Sequence, residues 1–304
     1  MPTSTFVRLS AALTLCAALA CAQAPEPDGA GVEPGVLPAK WATGGPNCKE
    51  LPDWEVHECN PDFYILRQSG CTHYEKPFLY LLFGKDKALL IDTGAGKPGT
   101  GAIVSQVLKR WLERAGRPSI PLVVSHSHSH GDHTAGDKDF AGKPAVELVK
   151  ADPAALQKAF GIGTWPSDIG GIDLGDRLID VLPIPGHDKA SVAYYDRKTG
   201  VLLTGDSLYP GRLYIRDWEA FAESTARMVG FIDGKIVTHI LGAHVEQRAQ
   251  PYLDYVVRTA YQPEEHALGL SRAHLLELDL ALKALGNKPR KVAYPSFTLW
   301  PREP

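Results

Sequence analysis

The chain has 304 residues, of which 44% are hydrophobic and 22% are charged, and its formal net charge is −3. These values are ordinary for a soluble globular protein with a sizeable core. The weak negative charge and the lack of a Lys/Arg-rich block argue against nucleic acid or an anionic membrane as a partner.

The first two dozen residues differ from the rest of the chain. Arg8 is the only charge before Glu26, and residues 9–21 are apolar and rich in Ala and Leu. A single positive charge, a short apolar core and small residues after it are typical of a secretory signal, and the stretch is too short to span a bilayer comfortably. We therefore expect a signal peptide over residues 1–22 and a periplasmic or secreted protein, with a buried N-terminal helix as the alternative.

Two processing outcomes fit the end of this segment. Ala20-Cys21-Ala22 matches a signal-peptidase site of the Ala-x-Ala type. Residues 18–21 resemble a bacterial lipobox, in which Cys21 would carry a lipid anchor, although Ala18 stands where Leu is usual. The next segment, 23–46, is rich in Pro, Gly and Ala and predicts a flexible linker. Residues 47–304 then form one domain, in which 262–304 is expected to be a C-terminal helix and tail.

Three cysteines lie outside the signal, at Cys48, Cys59 and Cys71. In an oxidising compartment two of them could pair. Cys59–Cys71 is the least favoured pairing because the extended run 62–68 would hold the two residues apart. Three unpaired thiols are the alternative.

Hydrophobic runs and helical spacing predict a mixture of strands and helices in the domain. The predicted strands cover 63–66, 78–83, 88–91, 121–124, 178–184, 191–195, 201–204 and 237–241. The predicted helices cover 101–114, 152–160, 218–232 and 271–285. Several strands end directly before a potential metal ligand or a turn residue. Sites built in this way lie at a sheet edge, on loops held by a rigid scaffold.

The most informative of these strand ends carries the pattern H-x-H-x-D-H at 128–133, within the run SHSHSHGDH. Imidazole and carboxylate are ligands that suit zinc and neighbouring divalent metals. Because residues two apart in an extended or tightly turned segment point the same way, His128 and His130 can hold one ion. Asp132 and His133 then point to a second position. A His-rich surface tract that binds metal adventitiously is the alternative.

Three later residues argue against an adventitious surface tract. His187 follows a strand and a Pro-Gly turn, Asp206 follows a strand and a Gly, and His244 follows a strand and Gly-Ala. Each of these alone is better explained by packing. Together they supply the ligands that a two-metal site requires.

The order H-x-H-x-D-H, P-G-H, T-G-D and a late G-x-H resembles the metallo-β-lactamase superfamily over roughly residues 60–250. The turn at 92–94, Asp-Thr-Gly, matches the family's early D-x-G. The resemblance implies an α+β fold, a four-layer αββα sandwich with two metal ions at one edge of its sheets. It implies a first metal on His128, His130 and His187, a second on Asp132, His133 and His244, and Asp206 as the bridge. Zinc is the expected metal, with iron and manganese as alternatives.

A dinuclear metallohydrolase follows from this resemblance. Two divalent ions about 3.5–4 Å apart can share a water and lower its pKa toward neutrality, so that hydroxide attacks a carbonyl or phosphorus centre. Asp132 is expected both to bind metal and to receive the proton. Tyr209 lies three residues after Asp206, where lactonases of the family carry a substrate-binding Tyr; a packing role is the alternative. We expect His126 to support a ligand or to be solvated, and Asp92 to support the site by hydrogen bonds.

We expect a small-molecule substrate, and these motifs restrict its chemical class without identifying it. The bridging Asp206 argues against a true β-lactamase, and GDSLYPGR at 205–212 is similar to the GDTLF…GR stretch of glyoxalase II-like enzymes. One departure is PGHDKAS at 185–191, where those enzymes usually have P-G-H-T-x-G-S. We expect hydrolysis of an ester, lactone, thioester or related substrate. The alternatives are an exported β-lactamase-like enzyme and a non-catalytic metal-binding module. Specificity is expected in loops 94–100, 160–172 and 209–218, and the oligomeric state is left open.

Overall fold

The protein is described here from a computed structural model that places Met1 and residues 31–42, 44–45, 48 and 51–302. The predicted signal peptide beyond Met1, the lipidation position Cys21 and the first part of the predicted linker lie outside the described residues. No helix in the described part of the chain is long and apolar enough to cross a membrane.

Runs of strands are separated by helices along the domain. The strands are β1 Trp54–Asn60, β2 Phe63–Gln68, β3 Phe78–Phe83, β4 Ala88–Ile91, β5 Leu122–Ser125, β6 Val146–Leu148, β7 Gly170–Asp173, β8 Leu178–Pro183, β9 Val192–Asp196, β10 Val201–Gly205, β11 Gly211–Ile215, β12 His239–Gly242, β13 Val292–Ala293 and β14 Phe297–Pro301. The helices are α1 Thr100–Ala115, α2 Gly131–Thr134, α3 Pro153–Phe160, α4 Trp218–Phe231 and α5 Arg272–Leu285.

The strands form three sheets. A six-stranded sheet has the order β1-β2-β3-β4-β5-β6, and a five-stranded sheet has the order β12-β10-β9-β8-β7. A smaller three-stranded sheet has the order β11-β14-β13. The β4/β5, β5/β6, β10/β12 and β11/β14 pairs are parallel, and the other pairs are antiparallel.

Alternation of side chains along buried strands produces the layers. Along β3, Phe78, Tyr80 and Leu82 pack in the core between the two large sheets. Leu79 and Leu81 point to the opposite face, where they pack in the cluster that includes residues of α1. The five-stranded sheet packs its own outer face against α4 and α5. Because both faces of β3 are buried, this strand is apolar throughout.

This architecture confirms the predicted αββα sandwich, and every predicted strand and helix is present within about two residues. The sequence reading missed β1, β6, β7, β11, β13 and β14. Two of these omissions matter for the site. The predicted loop 209–218 contains β11, and the predicted tail within 262–304 contains β13 and β14. These strands form through pairing between distant segments, which local patterns do not reveal.

The flexible linker over 23–46 stays a prediction, and its described residues contact the domain at two points. The backbone N–H of Val36 donates to the carbonyl of Cys59 at 2.9 Å. Trp41 is 5% exposed and packs edge-on against Phe78, with ring centroids 5.0 Å apart. Burial of this indole attaches the segment to the main core, an effect that composition alone did not indicate.

The cysteines adopt one of the pairings left open by the sequence. Cys48 and Cys71 form a disulfide, whereas Cys59 is free and buried. Burial raises the pKa of the Cys59 thiol to about 12, so it stays protonated at neutral pH. The disfavoured pair, Cys59–Cys71, is therefore not formed.

Candidate metal centre

Four strand ends meet at one edge of the two large sheets. The loop after β5 carries His128 and His130 and leads into α2, the turn after β8 carries His187, and β10 and β12 lead to Asp206 and His244. Short, rigid connections place these side chains on a fixed scaffold.

Two glycines allow the close approach of these loops. Gly186 has φ +140°, and a Cβ there would lie 2.5 Å from Cα of Phe221. Gly205 has φ +52°, and a Cβ there would lie 2.6 Å from Cβ of Ser127. Any side chain at either position would push apart the segments that carry His187, Asp206 and the histidine loop.

The first ligand group consists of His128, His130 and His187. Nδ1 of His130 lies 2.9 Å from Nε2 of His128 and 3.0 Å from Nε2 of His187. His128 and His187 are 1% and 3% exposed. Three imidazole nitrogens thus converge on one point from two separate loops.

The second ligand group consists of Asp132, His133 and His244. Oδ2 of Asp132 lies 3.4 Å from Nε2 of His133 and 3.4 Å from Nε2 of His244. The two histidine Nε2 atoms are themselves 3.4 Å apart. Ligand atoms about 2.0–2.1 Å from a tetrahedral zinc ion lie about 3.4 Å from one another, so this triangle has the size that such an ion requires.

Asp206 lies between the two ligand groups. Its Oδ2 is 3.7 Å from Nε2 of His128 and 3.4 Å from Nε2 of His187. Its Oδ1 is 3.6 Å from Nε2 of His133 and 3.3 Å from Nε2 of His244. One carboxylate therefore presents one oxygen to each group, as a bridging ligand must.

Hydrogen bonds behind the histidines orient their rings. Nδ1 of His187 donates to the carbonyl of Tyr214 at 2.7 Å, and Nδ1 of His244 donates to the carbonyl of Glu75 at 2.9 Å. A neutral ring that donates through Nδ1 carries its lone pair on Nε2, which is the atom facing the centre.

Asp92 has the supporting role expected from the sequence. Its Oδ2 lies 2.9 Å from Nδ1 of His133 and accepts a hydrogen bond from the Ser127 hydroxyl at 2.8 Å. Its Oδ1 accepts the backbone N–H of Ser127 at 2.7 Å. The carboxylate therefore fixes both the loop and one ligand ring from behind.

The donor set fits divalent cations. Oδ1 of Asp206 and Nε2 of His130 are buried without a hydrogen-bond partner. A buried carboxylate oxygen without a partner is costly, and imidazole nitrogens that face one another with lone pairs repel. One cation within each ligand group would remove the repulsion and satisfy Oδ1 of Asp206.

In the first ligand group and at Asp206 the pKa shifts favour the protonation states that bind metal, whereas the carboxylates around His133 and His244 favour the charged imidazolium in the absence of a cation. Burial lowers the pKa of all three histidines of the first ligand group. Burial would raise the pKa of Asp206, but the facing histidines, led by His244, hold it well below its usual range. For His133, burial acts to lower the pKa, but neighbouring carboxylates, led by Asp132, raise it well above its usual range. Neutral imidazoles and ionised carboxylates are the forms that bind metal.

His126 is not solvated, which corrects one of its two expected roles. The side chain is fully buried, its Nε2 lies 2.8 Å from Oδ1 of Asp137, and its Nδ1 lies 3.1 Å from the carbonyl of Val149. Asp137 also accepts a hydrogen bond from the hydroxyl of Thr93 at 2.8 Å. His126 therefore anchors the start of the ligand loop from outside the two ligand groups.

Tyr209 is 1% exposed, and its ring packs edge-on against His244 with centroids 5.5 Å apart. Its hydroxyl donates to the carbonyl of Arg212 and lies 3.1 Å from Oε2 of Glu246. These contacts hold the hydroxyl on the Arg212 side and favour the packing role. A catalytic role for Tyr209 stays a prediction.

A cavity of about 330 Å³ opens over the metal centre. Its inner wall contains His130, Asp132, His187, Asp206 and His244. Its outer part contains six residues that we call the entrance residues: Tyr214, Arg216, Val257, Arg258, Trp300 and Arg302. Two of them, Tyr214 and Arg216, fall within the predicted specificity segment 209–218, but none of the six was singled out from the sequence. A period-2 signal was present, since Arg212, Tyr214 and Arg216 alternate with Leu213 and Ile215.

Comparisons with known proteins point to one family. A sequence profile described as the Metallo-beta-lactamase superfamily matches residues 77–244, more than half of the chain. The chain is 25% identical over 230 residues to the Acyl-coenzyme A thioesterase MBLAC2 of Bos taurus, covering 63% of this chain and 81% of that protein. It is 27% identical over 144 residues to the Hydroxyacylglutathione hydrolase of Erythrobacter litoralis, covering 46% of this chain and 56% of that protein.

Solved structures show the same fold. A metallo-beta-lactamase from Erythrobacter litoralis superposes with a TM-score of 0.53 at 11% identity, covering 78% of this chain and 99% of that one. The DIM-1 metallo-beta-lactamase superposes with a TM-score of 0.51 at 14% identity, covering 78% of this chain and all of that one. At such identities the likeness shows the fold and carries nothing about the substrate.

Proposed function

This chain belongs to the metallo-β-lactamase superfamily, and on that premise we propose that it is a dinuclear metal-dependent hydrolase of thioesters and related small esters. The position of Asp206 carries the dinuclear part of the proposal. Its two oxygens face different ligand groups, at 3.3–3.7 Å from two histidines each. A site for one ion would leave one of these oxygens and the opposite group without a function.

The two ligand groups would hold one divalent ion each, and zinc suits their nitrogen and carboxylate donors. Bound there, such ions supply an activated water and polarise the scissile carbonyl. The hydrogen bonds behind His133, His187 and His244 hold these rings in the orientation that such ions require. Asp132, whose side chain is 20% exposed, is the ligand carboxylate more open to the cavity and the candidate proton acceptor.

Thioesters are favoured as substrates by the named relatives. The two proteins reported above carry the names of an acyl-coenzyme A thioesterase and a hydroxyacylglutathione hydrolase. The β-lactamases among the solved structures share the fold at 11% and 14% identity, which is too low to transfer a substrate. A β-lactamase-like activity is the second candidate. A non-catalytic module is the weakest, because all seven candidate ligands converge at the centre.

Export is part of the proposal. The apolar segment 9–21 motivates it, and the Cys48–Cys71 disulfide supports it, because disulfides persist in oxidising compartments. Fractionation of cells that produce the full chain tests this point. We expect the protein in the periplasm or medium, or in the membrane fraction if Cys21 is lipidated. A cytosolic, reduced protein would contradict it.

A substrate panel tests the hydrolase itself. The purified protein is assayed with an acyl-coenzyme A, an S-acylglutathione, a lactone, a phosphodiester and nitrocefin, before and after chelation and again after zinc is restored. We expect thioester turnover to be the highest, to disappear with chelation and to return with zinc. Nitrocefin as the best substrate would support the second candidate. Thioester turnover that survives complete metal removal, or that His128→Ala leaves intact, would contradict the proposal.

A further inference from the structure

The cavity entrance combines residues from two paired strands that are distant in sequence. β11 pairs in parallel with β14, so that Tyr214 lies opposite Trp300 and Ile215 lies opposite Pro301. The register continues beyond the strands, because the backbone N–H of Arg302 donates to the carbonyl of Ile215 at 2.8 Å. Arg216 and Arg302 are therefore neighbours across the two strands, and both line the cavity.

Two like charges in neighbouring positions on paired strands destabilise a sheet when nothing lies between them. Both guanidinium groups are exposed at the cavity, and the Arg302 guanidinium lies over the Tyr214 ring at 5.0 Å. A third cation, Arg258, comes from a separate segment of the chain and lines the same cavity. It is exposed, has φ +70°, and lies over the Tyr74 ring at 5.6 Å.

Several arginines in the described part of the chain are paired with a carboxylate, whereas these three are not. Arg67, Arg177 and Arg212 each bind an acidic side chain at 2.5–2.6 Å. Arg248 does so at 2.9 Å although it lies on the surface. Within residues 51–302 and the other placed segments, no salt bridge involves Arg216, Arg258 or Arg302. Three cations that line one opening are thus available to a ligand.

We propose that Arg216, Arg258 and Arg302 bind an anionic group of the substrate, a phosphate or a carboxylate, at the cavity entrance. This inference rests on the proposed function for the position of the scissile bond, which lies deeper, at the metal centre. Guanidinium groups bind phosphate and carboxylate through paired hydrogen bonds. Of the three arginines, Arg258 and Arg302 lie outside the segment that the family profile matches.

Binding of unreactive thioethers tests the site separately from catalysis. S-methyl-coenzyme A carries phosphates, S-methylglutathione carries carboxylates, and S-methyl-N-acetylcysteamine is neutral. Affinities for the zinc-loaded protein are measured by calorimetry for the wild type, for Arg216→Gln, Arg258→Gln and Arg302→Gln, and for Arg110→Gln as control. Arg110 is an exposed arginine on α1, away from the cavity. Melting temperatures establish that each variant is folded.

We expect an anionic thioether to bind at least about tenfold more tightly than the neutral one, and each entrance variant to weaken it about threefold to tenfold. Arg110→Gln and the neutral thioether should show no change. Loss for S-methyl-coenzyme A identifies phosphate as the anion, and loss for S-methylglutathione identifies carboxylate. Equal binding of all three thioethers, or entrance variants that bind like the wild type, would overturn the proposal. Normal anion binding without any thioester hydrolysis would instead refute the proposed function and leave the arginine site standing.

Discussion

The metal centre and the entrance residues lie in one cavity but are built in opposite ways. Ligands of the metal centre stand at the ends of adjacent buried strands, and their rings are fixed from behind by hydrogen bonds. The entrance is exposed and depends on the pairing of Gly211 with Phe297, far apart in the chain. Local motifs therefore mark the candidate ligands, whereas the entrance is formed by long-range strand pairing that no local motif marks.

One residue joins the two regions. The carbonyl of Tyr214 orients His187 at 2.7 Å, and the Tyr214 ring lies at the entrance beside Trp300 with centroids 5.6 Å apart. The entrance and the first ligand group are therefore connected through a single residue, Tyr214. The effect of a substitution can still be assigned to one region, because metal content reports on the candidate metal centre and ligand affinity reports on the entrance.

The largest expected effect comes from the bridging carboxylate. Asp206→Asn keeps the shape of the side chain but removes the charge that both ligand groups face. We expect turnover to fall by about 10³-fold or more and the metal content to fall below two ions per chain, measured by kinetics and elemental analysis. Entrance variants such as Arg302→Gln serve as controls, since they should retain full metal content. An active Asp206→Asn protein with two ions would show that the carboxylate is dispensable.

The next effect concerns the buried ion pair between Arg67 and Glu265, which attaches segment 245–270, called here the outer wall, to β2. Glu265 binds Arg67 through two contacts at 2.6 and 2.7 Å, with side chains 5% and 1% exposed. Glu265→Ala leaves a buried guanidinium unpaired and should lower the free energy of unfolding by about 3–5 kcal/mol. Glu264→Ala is the matched control: its partner is Arg248 at 2.9 Å, its side chain is 69% exposed, and its loss should cost less than about 1 kcal/mol.

Chemical denaturation measures both glutamate variants, and hydrogen exchange should show faster opening of 245–270 in Glu265→Ala. Similar stability of the two variants would mean that the buried pair does not hold the wall.

Lys76, which donates to the carbonyl of Thr259 at 3.2 Å, gives the same wall a pH dependence. Burial lowers the pKa of its ammonium group to about 8, although Glu265 acts to raise it. Between about pH 8 and 10.4 this residue therefore binds more protons in the unfolded chain than in the folded protein. The contribution of Lys76 to the free energy of unfolding rises with pH over this range. Relative to Lys76→Met, the wild type should gain about 2–3 kcal/mol between pH 7 and pH 10. If the free energy of unfolding varied with pH in the same way for both proteins, the buried ammonium group of Lys76 would not destabilise the fold.

The smallest expected effect is that of Tyr209→Phe. Because the hydroxyl is bound by the Arg212 carbonyl and Glu246, its removal should change kcat by less than about threefold and leave KM unchanged. Steady-state kinetics with a thioester measure both constants. A fall of a hundredfold in kcat with a normal fold would restore the substrate-binding role suggested by its position after Asp206.

The sequence was sufficient to predict which residues converge at the candidate metal centre, because metal ligands must be particular residue types at particular spacings. The H-x-H-x-D-H run and the single residues His187, Asp206 and His244 each follow a recognisable strand. The entrance left no comparable mark, since Arg258 lies in an irregular segment and Arg302 follows a strand of five residues. Packing of Trp41 and pairing of Cys48 with Cys71 were likewise undetermined, because each depends on a partner brought close only by the folded domain.

The most direct measurement is the number and position of divalent ions, obtained from crystals of the zinc-loaded protein by anomalous scattering at the zinc edge. We expect two peaks per chain, one within each ligand group, and each in contact with a different oxygen of Asp206. A single peak, or two peaks that leave Asp206 unbound, would contradict a dinuclear centre bridged by this residue.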